Sequence, residues 1–217
     1  MKKYKAVLFD LDGTLADTSE GVYESVRYAA ERLGLKEADD ELLKKFIGPP
    51  LQVTFSKEYG LSGDRIDEAV KAFREFYGKE GVYMCAAYSG MNRLLYKLRE
   101  CGLKVGTATY KREDYARELL HRRFTFKFDT VRGADADGKL TKAEISALAV
   151  KDMNADISET VLVGDSSFDA EGAAAAGMDF IAVTYGFGFK DKSDADKYPN
   201  VGCCGSVEEL ERLFTGN

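Results

Sequence analysis

The chain has 217 residues, of which 45% are apolar and 31% charged, so it can bury a sizeable core and lacks the composition of a disordered protein. Its net charge of −6, with acidic and basic residues interspersed, argues against a nucleic-acid or anionic-membrane partner and favours a small-molecule ligand. Cys85, Cys101, Cys203 and Cys204 show no C-x-x-C spacing, and no apolar run approaches membrane-spanning length, so we expect a cytoplasmic protein with reduced thiols.

The first predicted element is a short buried strand at residues 6–9, which the sequence Asp10-Leu11-Asp12-Gly13 follows. In open α/β sheets, ligands bind at the carboxyl ends of the strands. Two carboxylates two residues apart would share one face of an ideal strand, but the turn that begins at Gly13 can splay them around one reacting group. Asp10 and Asp12 are therefore candidate catalytic residues.

A helical segment comes next. Apolar residues from Val22 to Leu33 fall on one helical stripe, which Gly34 closes. The same periodicity predicts three further helices, at residues 40–46, 51–59 and 66–77. About seventy residues of helical pattern without a convincing strand predict a separate helical unit inserted after the first strand.

Strand and helix patterns alternate from residue 89 onward. The predicted strands are 103–109, a segment near 128–131, 160–163 and 180–184. The predicted helices run from Met91 to near Gly102, over 113–122, over 142–153 and after Phe168. A capping box at Ser206 to Glu209 begins a terminal helix through Phe214. This order predicts an α/β fold, with a Rossmann-like doubly wound parallel sheet and right-handed crossovers. Residues 1–17 and 89–217 would form that core, and residues 18–88 the helical insertion.

Two motifs carry a family resemblance. The sequence DLDGTLADT at residues 10–18 resembles the first motif of the haloacid dehalogenase superfamily, and VLVGDSSFDAEGAAAAG at residues 161–177 resembles its metal-binding motif. The resemblance implies that Asp10 is a phosphate-accepting nucleophile and Asp12 a general acid and base. It also implies that the insertion is a helical cap.

The resemblance further implies a metal site formed by Asp10, Asp12, Asp165 and Asp169. Carboxylates that converge at one edge of a sheet repel each other unless a cation neutralises them. Mg²⁺ binds a few carboxylate oxygens and keeps waters that a substrate phosphate can replace. Mg²⁺ is therefore the expected cofactor.

Two further positions complete the predicted site. Thr109 ends a strand and its hydroxyl can donate to a phosphate oxygen, although the family pattern often continues with Asn where this chain has Tyr110. The sequence GKLTKAEI, which contains Lys142, is similar to the lysine motif of the family. The helix dipole disfavours a cation at a helix start, so a lysine in this position indicates a functional role. Lys139 is the alternative lysine. We expect Gly13, Thr109 and Lys142 to bind phosphate.

The implied activity is hydrolysis of a small phosphomonoester through an aspartyl phosphate. The sequence IGPPL at residues 47–51 is similar to the cap of phosphoglycolate phosphatase-like members, so the predicted partner is a small phosphorylated metabolite. Nucleotidase, pyrophosphatase and β-phosphoglucomutase-like phosphotransferase activities stay open, as does a non-enzymatic Mg²⁺-binding regulatory module. Asp12 argues against a dehalogenase, and the lack of a G-x-S-x-G elbow argues against a serine hydrolase that uses His121. The oligomeric state is left open.

Overall fold

The computed structural model describes residues 3–216. The chain divides into two compact units, one formed by Met1–Ala16 with Ala87–Asn217 and the other by Asp17–Ala86. The boundaries predicted from the sequence lie one and two residues from these.

The strands are, in chain order, β1 Ala6–Phe9, β2 Ala16–Asp17, β3 Ala86–Ala87, β4 Lys104–Arg112, β5 Thr130–Ala134, β6 Thr160–Gly164, β7 Asp179–Val183 and β8 Gly202–Cys204. The α-helices are α1 Ser19–Leu33, α2 Asp40–Lys44, α3 Leu51–Tyr59, α4 Asp64–Lys79, α5 Met91–Glu100, α6 Glu113–Arg123, α7 Lys142–Asp152, α8 Ser167–Ala176, α9 Lys192–Ala195 and α10 Val207–Thr215. Single turns of 3-10 helix lie at Gly81–Tyr83 and Ile157–Glu159.

Six strands form one sheet in the order β5-β4-β1-β6-β7-β8, and every neighbouring pair is parallel. The fully buried strand β1 lies between β4 and β6, and Phe9 pairs with Thr107 on one side and Val163 on the other. This register brings the carboxyl ends of the three central strands to one edge of the sheet. The predicted doubly wound parallel sheet is confirmed.

Helices α7 and α8 cover one face of the sheet. The core on this face joins alternate residues of the strands to the buried sides of the two helices, and includes Leu8, Ala108, Leu162, Ile145 and Ala173. A parallel strand that is covered on both faces reads as a continuous apolar run, as residues 6–9 do. The core therefore fixes the strand ends that carry the polar residues.

Several elements differ from the sequence prediction. Strand β4 extends to Arg112 and includes Lys111, which we expected in a loop. Strand β5 begins at Thr130 because the apolar residue Phe128 packs instead in a cluster of aromatic rings, 5.2 Å from the ring of Phe126. Strand β8 and helix α9 were not predicted, and both are too short for a periodic pattern to reveal them.

The helical insertion packs α1 against α4. The predicted stripe of α1 is buried except at its end, where Leu33 is half-buried. The Tyr28 and Phe76 rings lie 5.4 Å apart between the two helices. Helix α2 ends at Lys44, earlier than predicted, because Phe46 turns to pack edge-on against Phe55, with their ring centroids 4.8 Å apart. In the IGPPL segment, Pro50 is the residue that caps the start of α3.

The start of α10 is capped by one side chain only. Ser206 caps α10 by accepting from the Glu209 amide at 3.2 Å, but the Glu209 carboxylate accepts from the Gly205 amide at 2.7 Å. The predicted capping box is therefore only half formed. Within residues 3–216, no helix is long and apolar enough to span a membrane.

The start of α7 packs tightly against α8. Lys142 is the first residue of α7 and follows a capping box between Thr141 and Glu144. A Cβ atom added to Gly172 of α8 would lie 2.5 Å from Cγ and 2.6 Å from Cβ of Lys142. The aliphatic stem of Lys142 thus occupies the space that a side chain at residue 172 would need.

We expect Gly172→Ala to destabilise the fold. Alanine gains about 1 kcal/mol of helix propensity over glycine, but overpacking costs about 1–3 kcal/mol, so the net change in unfolding free energy should be unfavourable. Urea unfolding measures it, and Glu171→Ala on the exposed side of the same helix is the control. A more stable Gly172→Ala protein would contradict this packing.

Candidate active site

Asp10 follows β1 directly, and its amide donates to the Val163 carbonyl at 2.9 Å, which holds it beside β6. The Asp10 carboxylate is 8% exposed, and its Oδ1 lies 2.6 Å from Nζ of Lys142. The same Nζ lies 2.6 Å from Oδ1 of Asp169, and the Lys142 side chain is 3% exposed. A buried ammonium group thus bridges two of the predicted site carboxylates. Lys139, the alternative lysine, is 79% exposed and pairs with Asp137.

Tyr110 holds the start of α7 in this position. Its hydroxyl accepts a hydrogen bond from the Lys142 amide at 3.0 Å, and its ring centroid lies 5.6 Å from the ammonium nitrogen. The Tyr110 ring also packs edge-on against Phe168. The residue that departs from the family pattern therefore positions the lysine, a role that the sequence analysis missed.

Asp165 follows β6, and a loop after β7 holds its carboxylate. Oδ2 accepts from the amides of Phe187 and Gly188, at 2.7 and 3.0 Å, and Oδ1 lies 3.4 Å from the Thr14 hydroxyl. A Cβ atom on Gly186 would overlap Oδ2 of Asp165. The sequence analysis also missed this loop, YGFGF at residues 185–189. Glycines that alternate with aromatic residues after a strand are the signal for such a close backbone approach.

Asp169 lies in the first turn of α8. Its Oδ2 accepts from the amide and the hydroxyl of Ser166, at 3.1 and 2.6 Å, while its Oδ1 faces Lys142. One oxygen atom from each of Asp10, Asp165 and Asp169 lies within 4.8 Å of the others. These three carboxylates could therefore share one cation.

Asp12, the fourth predicted metal residue, contacts a second lysine. Nζ of Lys111 lies 2.8 Å from Oδ1 and 3.0 Å from Oδ2 of Asp12, and the two side chains are 6% and 10% exposed. The structure thus separates the two aspartates of the first motif, because Asp10 faces Lys142 and Asp12 faces Lys111. Lys111 was not among the predicted site residues.

The remaining predicted phosphate-binding residues lie at the same edge. Gly13 has a φ of +82°, and a Cβ atom there would overlap Oδ2 of Asp165. Gly13 therefore lets the backbone pass close to the Asp165 carboxylate. Its amide donates to the Ala16 carbonyl at 3.0 Å. Thr109 is buried, and its hydroxyl oxygen accepts from the Lys111 amide at 3.2 Å.

Burial shifts the pKa values of Asp10 and Asp165. Desolvation raises the pKa of Asp10 to about 7, although Lys142 opposes the rise. Desolvation, with the neighbouring Asp169 and Asp10, raises the pKa of Asp165 to about 8. Burial alone would lower the pKa of Lys142, but Asp10 and Asp169 outweigh it and raise that pKa. The two aspartates therefore favour the charged form of Lys142.

The charges at this edge do not balance. With every group ionised, the four aspartates and the two lysines leave two negative charges in a largely buried cluster. Such an excess favours protonated carboxyl groups or a bound cation. The arrangement fits a divalent cation.

Comparison with known proteins agrees with this geometry. The sequence profile of the haloacid dehalogenase-like hydrolases matches residues 7–183. The chain is 38% identical to a 5'-nucleotidase of Pseudomonas aeruginosa over 88% of this chain and 87% of that protein. It is 34% identical to the tyrosine-protein kinase PtkA of Mycobacterium tuberculosis over 96% of this chain and 72% of that protein.

Solved structures agree as well. The crystal structure of a predicted phosphatase from Clostridium acetobutylicum is 31% identical, covers 100% of both chains and superposes with a TM-score of 0.92. The resemblance that the two sequence motifs indicate is therefore confirmed. This chain is an enzyme of the haloacid dehalogenase-like hydrolase family.

Proposed function

We propose that this chain is a Mg²⁺-dependent phosphatase that hydrolyses a small phosphomonoester through an aspartyl phosphate on Asp10. The observation that supports it most directly is the buried Lys142 ammonium between Asp10 and Asp169, beside the third carboxylate, Asp165. A fixed cation that touches the attacking carboxylate can also neutralise charge on a phosphoryl group in transfer. In this proposal, residues 18–88 form the cap of the family.

The reaction would proceed in two displacements. In the first, a carboxylate oxygen of Asp10 forms a bond to phosphorus while the bond from phosphorus to the leaving oxygen breaks, and Asp12 gives its proton to that oxygen. In the second, the oxygen of a water molecule bonds to phosphorus while Asp12 takes a proton from that water. The bond between Asp10 and phosphorus then breaks, and inorganic phosphate leaves.

Lys142 and Thr109 would stabilise the transferring group. Lys142 contacts Asp10 and supplies a compact positive charge at the point of attack. Thr109 is buried at the end of the neighbouring strand, and its hydroxyl oxygen accepts from the Lys111 amide. The hydroxyl hydrogen is thereby directed away from that amide and can donate to a phosphoryl oxygen.

The donor set fits Mg²⁺. Asp10, Asp165 and Asp169 offer carboxylate oxygens that converge within 4.8 Å, and Mg²⁺ prefers oxygen ligands. Oδ2 of Asp165 accepts from two backbone amides, whereas its Oδ1 makes a long contact with the Thr14 hydroxyl, which leaves Oδ1 the better placed of the two to bind the cation. When bound, Mg²⁺ would offset the excess negative charge of the site and of the phosphate.

A nucleoside monophosphate is the substrate class to test first, because the Pseudomonas aeruginosa relative is named as a 5'-nucleotidase. Phosphoglycolate and pyrophosphate belong in the same panel, since the IGPPL segment favours the first and a relative from Bacillus velezensis is named as a pyrophosphatase. Phosphate release from each compound, compared by kcat/KM, would rank the substrates.

The same assay separates the alternatives. A phosphoglucomutase-like enzyme would convert a hexose 1-phosphate to the 6-phosphate without releasing phosphate. A regulatory Mg²⁺-binding module would release no phosphate from any compound, p-nitrophenyl phosphate included. Either result would exclude the proposed phosphatase.

We expect activity to require Mg²⁺ and Asp165→Asn to abolish it without unfolding the protein, because one ligand charge is lost. Isothermal titration with Mg²⁺ gives a readout independent of turnover, in which the variant should bind much more weakly than the wild type. Asp137→Asn, on the exposed surface, is the matched control. Turnover that is insensitive to EDTA would contradict the proposal.

The stability of the metal-free protein should fall as the pH rises from about 4 to about 8. The pKa values of Asp10 and Asp165 rise on folding from 3.8 to about 7 and about 8, so in this window the native state binds protons that the unfolded chain has released. Mg²⁺ requires the ionised carboxylates, and therefore its stabilising effect should grow over the same window. Melting temperatures with MgCl₂ and with EDTA at pH 5 and pH 8 test this. A Mg²⁺ effect that is equal at both pH values would contradict it.

Substitutions at Asp10 and Asp12 should separate the two displacements. Asp10→Asn removes the nucleophile, so no phosphoenzyme should form with any substrate. Asp12→Ala should slow alkyl phosphates about 10²–10⁴-fold, because their leaving oxygen needs a proton. With p-nitrophenyl phosphate, whose leaving group needs little protonation, the variant should give a burst of nitrophenol and a phosphoaspartate at residue 10, seen by mass spectrometry after rapid quench. Equal loss of the first turnover in both variants, whatever the leaving group, would remove Asp12 from the acid/base role.

A further inference from the structure

An irregularity in β4 determines where Lys111 lies. Ala108 pairs with Arg132 and Arg112 pairs with Ala134 of β5, so three residues of β4 stand opposite the single residue Gly133. Such a bulge bends the strand and redirects its side chains. A Cβ atom on Gly133 would overlap the Lys111 carbonyl, so the bulge needs glycine on the neighbouring strand.

The bulge directs Lys111 toward the first motif. Its side chain is 6% exposed, and its ammonium group contacts both carboxylate oxygens of Asp12 at 2.8 and 3.0 Å. The Lys111 amide donates to the Thr109 hydroxyl oxygen, and this hydrogen bond holds the bulged backbone at Lys111 against Thr109. Lys142 is held by Asp10 and Asp169. The two lysines therefore divide the site, with one on the nucleophile and one on the acid/base.

We propose that Lys111 is the positioning residue of Asp12. This inference rests on the proposed function, in which Asp12 gives a proton to the leaving oxygen and later takes one from water. Both transfers require the carboxylate of Asp12 to stay apart from Lys142 and to reach the oxygen on the opposite side of phosphorus from Asp10, which is first the leaving oxygen and then the water. Lys111 acts by holding the Asp12 carboxylate in place through its contacts with both carboxylate oxygens.

The first experiment compares leaving groups in Lys111→Met, which keeps the unbranched stem of the side chain and removes the ammonium group and its charge. The kcat for an alkyl phosphate should fall about 10-fold or more, since misplaced acid/base groups lose part of their 10²–10⁴-fold contribution. The first turnover of p-nitrophenyl phosphate should fall much less. The control is Lys139→Met, the same substitution at a lysine that is 79% exposed, and it should match the wild type. A raised KM with unchanged kcat, or an equal loss for both leaving groups, would overturn the proposal.

A double-mutant cycle tests whether Lys111 acts through Asp12. In the Asp12→Ala background, Lys111→Met should cause little further loss with the alkyl phosphate, because the group it positions is already absent. If the same fold-loss appears with and without Asp12, Lys111 acts on the substrate directly and the proposal is wrong.

Crystal structures give a readout that does not depend on turnover. In Lys111→Met the Asp12 carboxylate should rotate away from its wild-type position or become disordered, while Asp10 and Lys142 stay in place. An Asp12 carboxylate unchanged in position would overturn the proposal even if the enzyme is an active phosphatase. Failure of the proposed function would give a different result. The wild-type protein would then form no phosphoaspartate, whereas the Asp12 carboxylate would still shift in the crystal structure of Lys111→Met.

Discussion

The contact of Lys142 with Asp10 and Asp169 is the interaction on which the site depends. A buried charge pair repays its desolvation only when its geometry and its further hydrogen bonds are good, and removing one partner typically costs about 3–5 kcal/mol. The surrounding structure supplies that geometry. Tyr110 accepts from the Lys142 amide, Thr141 caps the helix that begins there, and Gly172 leaves room for the aliphatic stem. Two helices and a strand end are thus fitted to one ammonium group.

Lys142 alone does not neutralise the site, and the excess of carboxylates explains other features. Asp165 is fixed by two backbone amides and Asp169 by Ser166, so neither carboxylate can turn away from its neighbours to relieve the repulsion. Burial of the Asp165 carboxyl group, together with the nearby charges of Asp169 and Asp10, raises its pKa to about 8. Because the fold keeps these acids together, only protonation or a bound cation can relieve their mutual repulsion.

The parts of the fold that the sequence predicted are those with local causes. Strand β1 is a continuous apolar run because both of its faces are covered. The longer helices follow from stripes of apolar residues with a 3.6-residue period, and glycine ends some of them, such as α1. Asp10 and Asp165 were predictable because each follows such a run directly. Strand β8, with three residues, and α9, with four, are shorter than any period that a pattern can reveal.

At the candidate site, the features that the sequence did not predict depend on partners distant in the chain. Lys111 reaches Asp12 across 99 residues through a bulge that has no local signature apart from Gly133 on another strand. Tyr110 breaks the family pattern, yet its hydroxyl meets an amide 32 residues away. A bulge gives up regular ladder hydrogen bonds, and a lysine at a helix start opposes the helix dipole. Local rules are broken where function requires particular side chains to meet. At the strand ends of this chain, departures from local preference therefore add Tyr110 and Lys111 to the candidate residues that the motifs indicate.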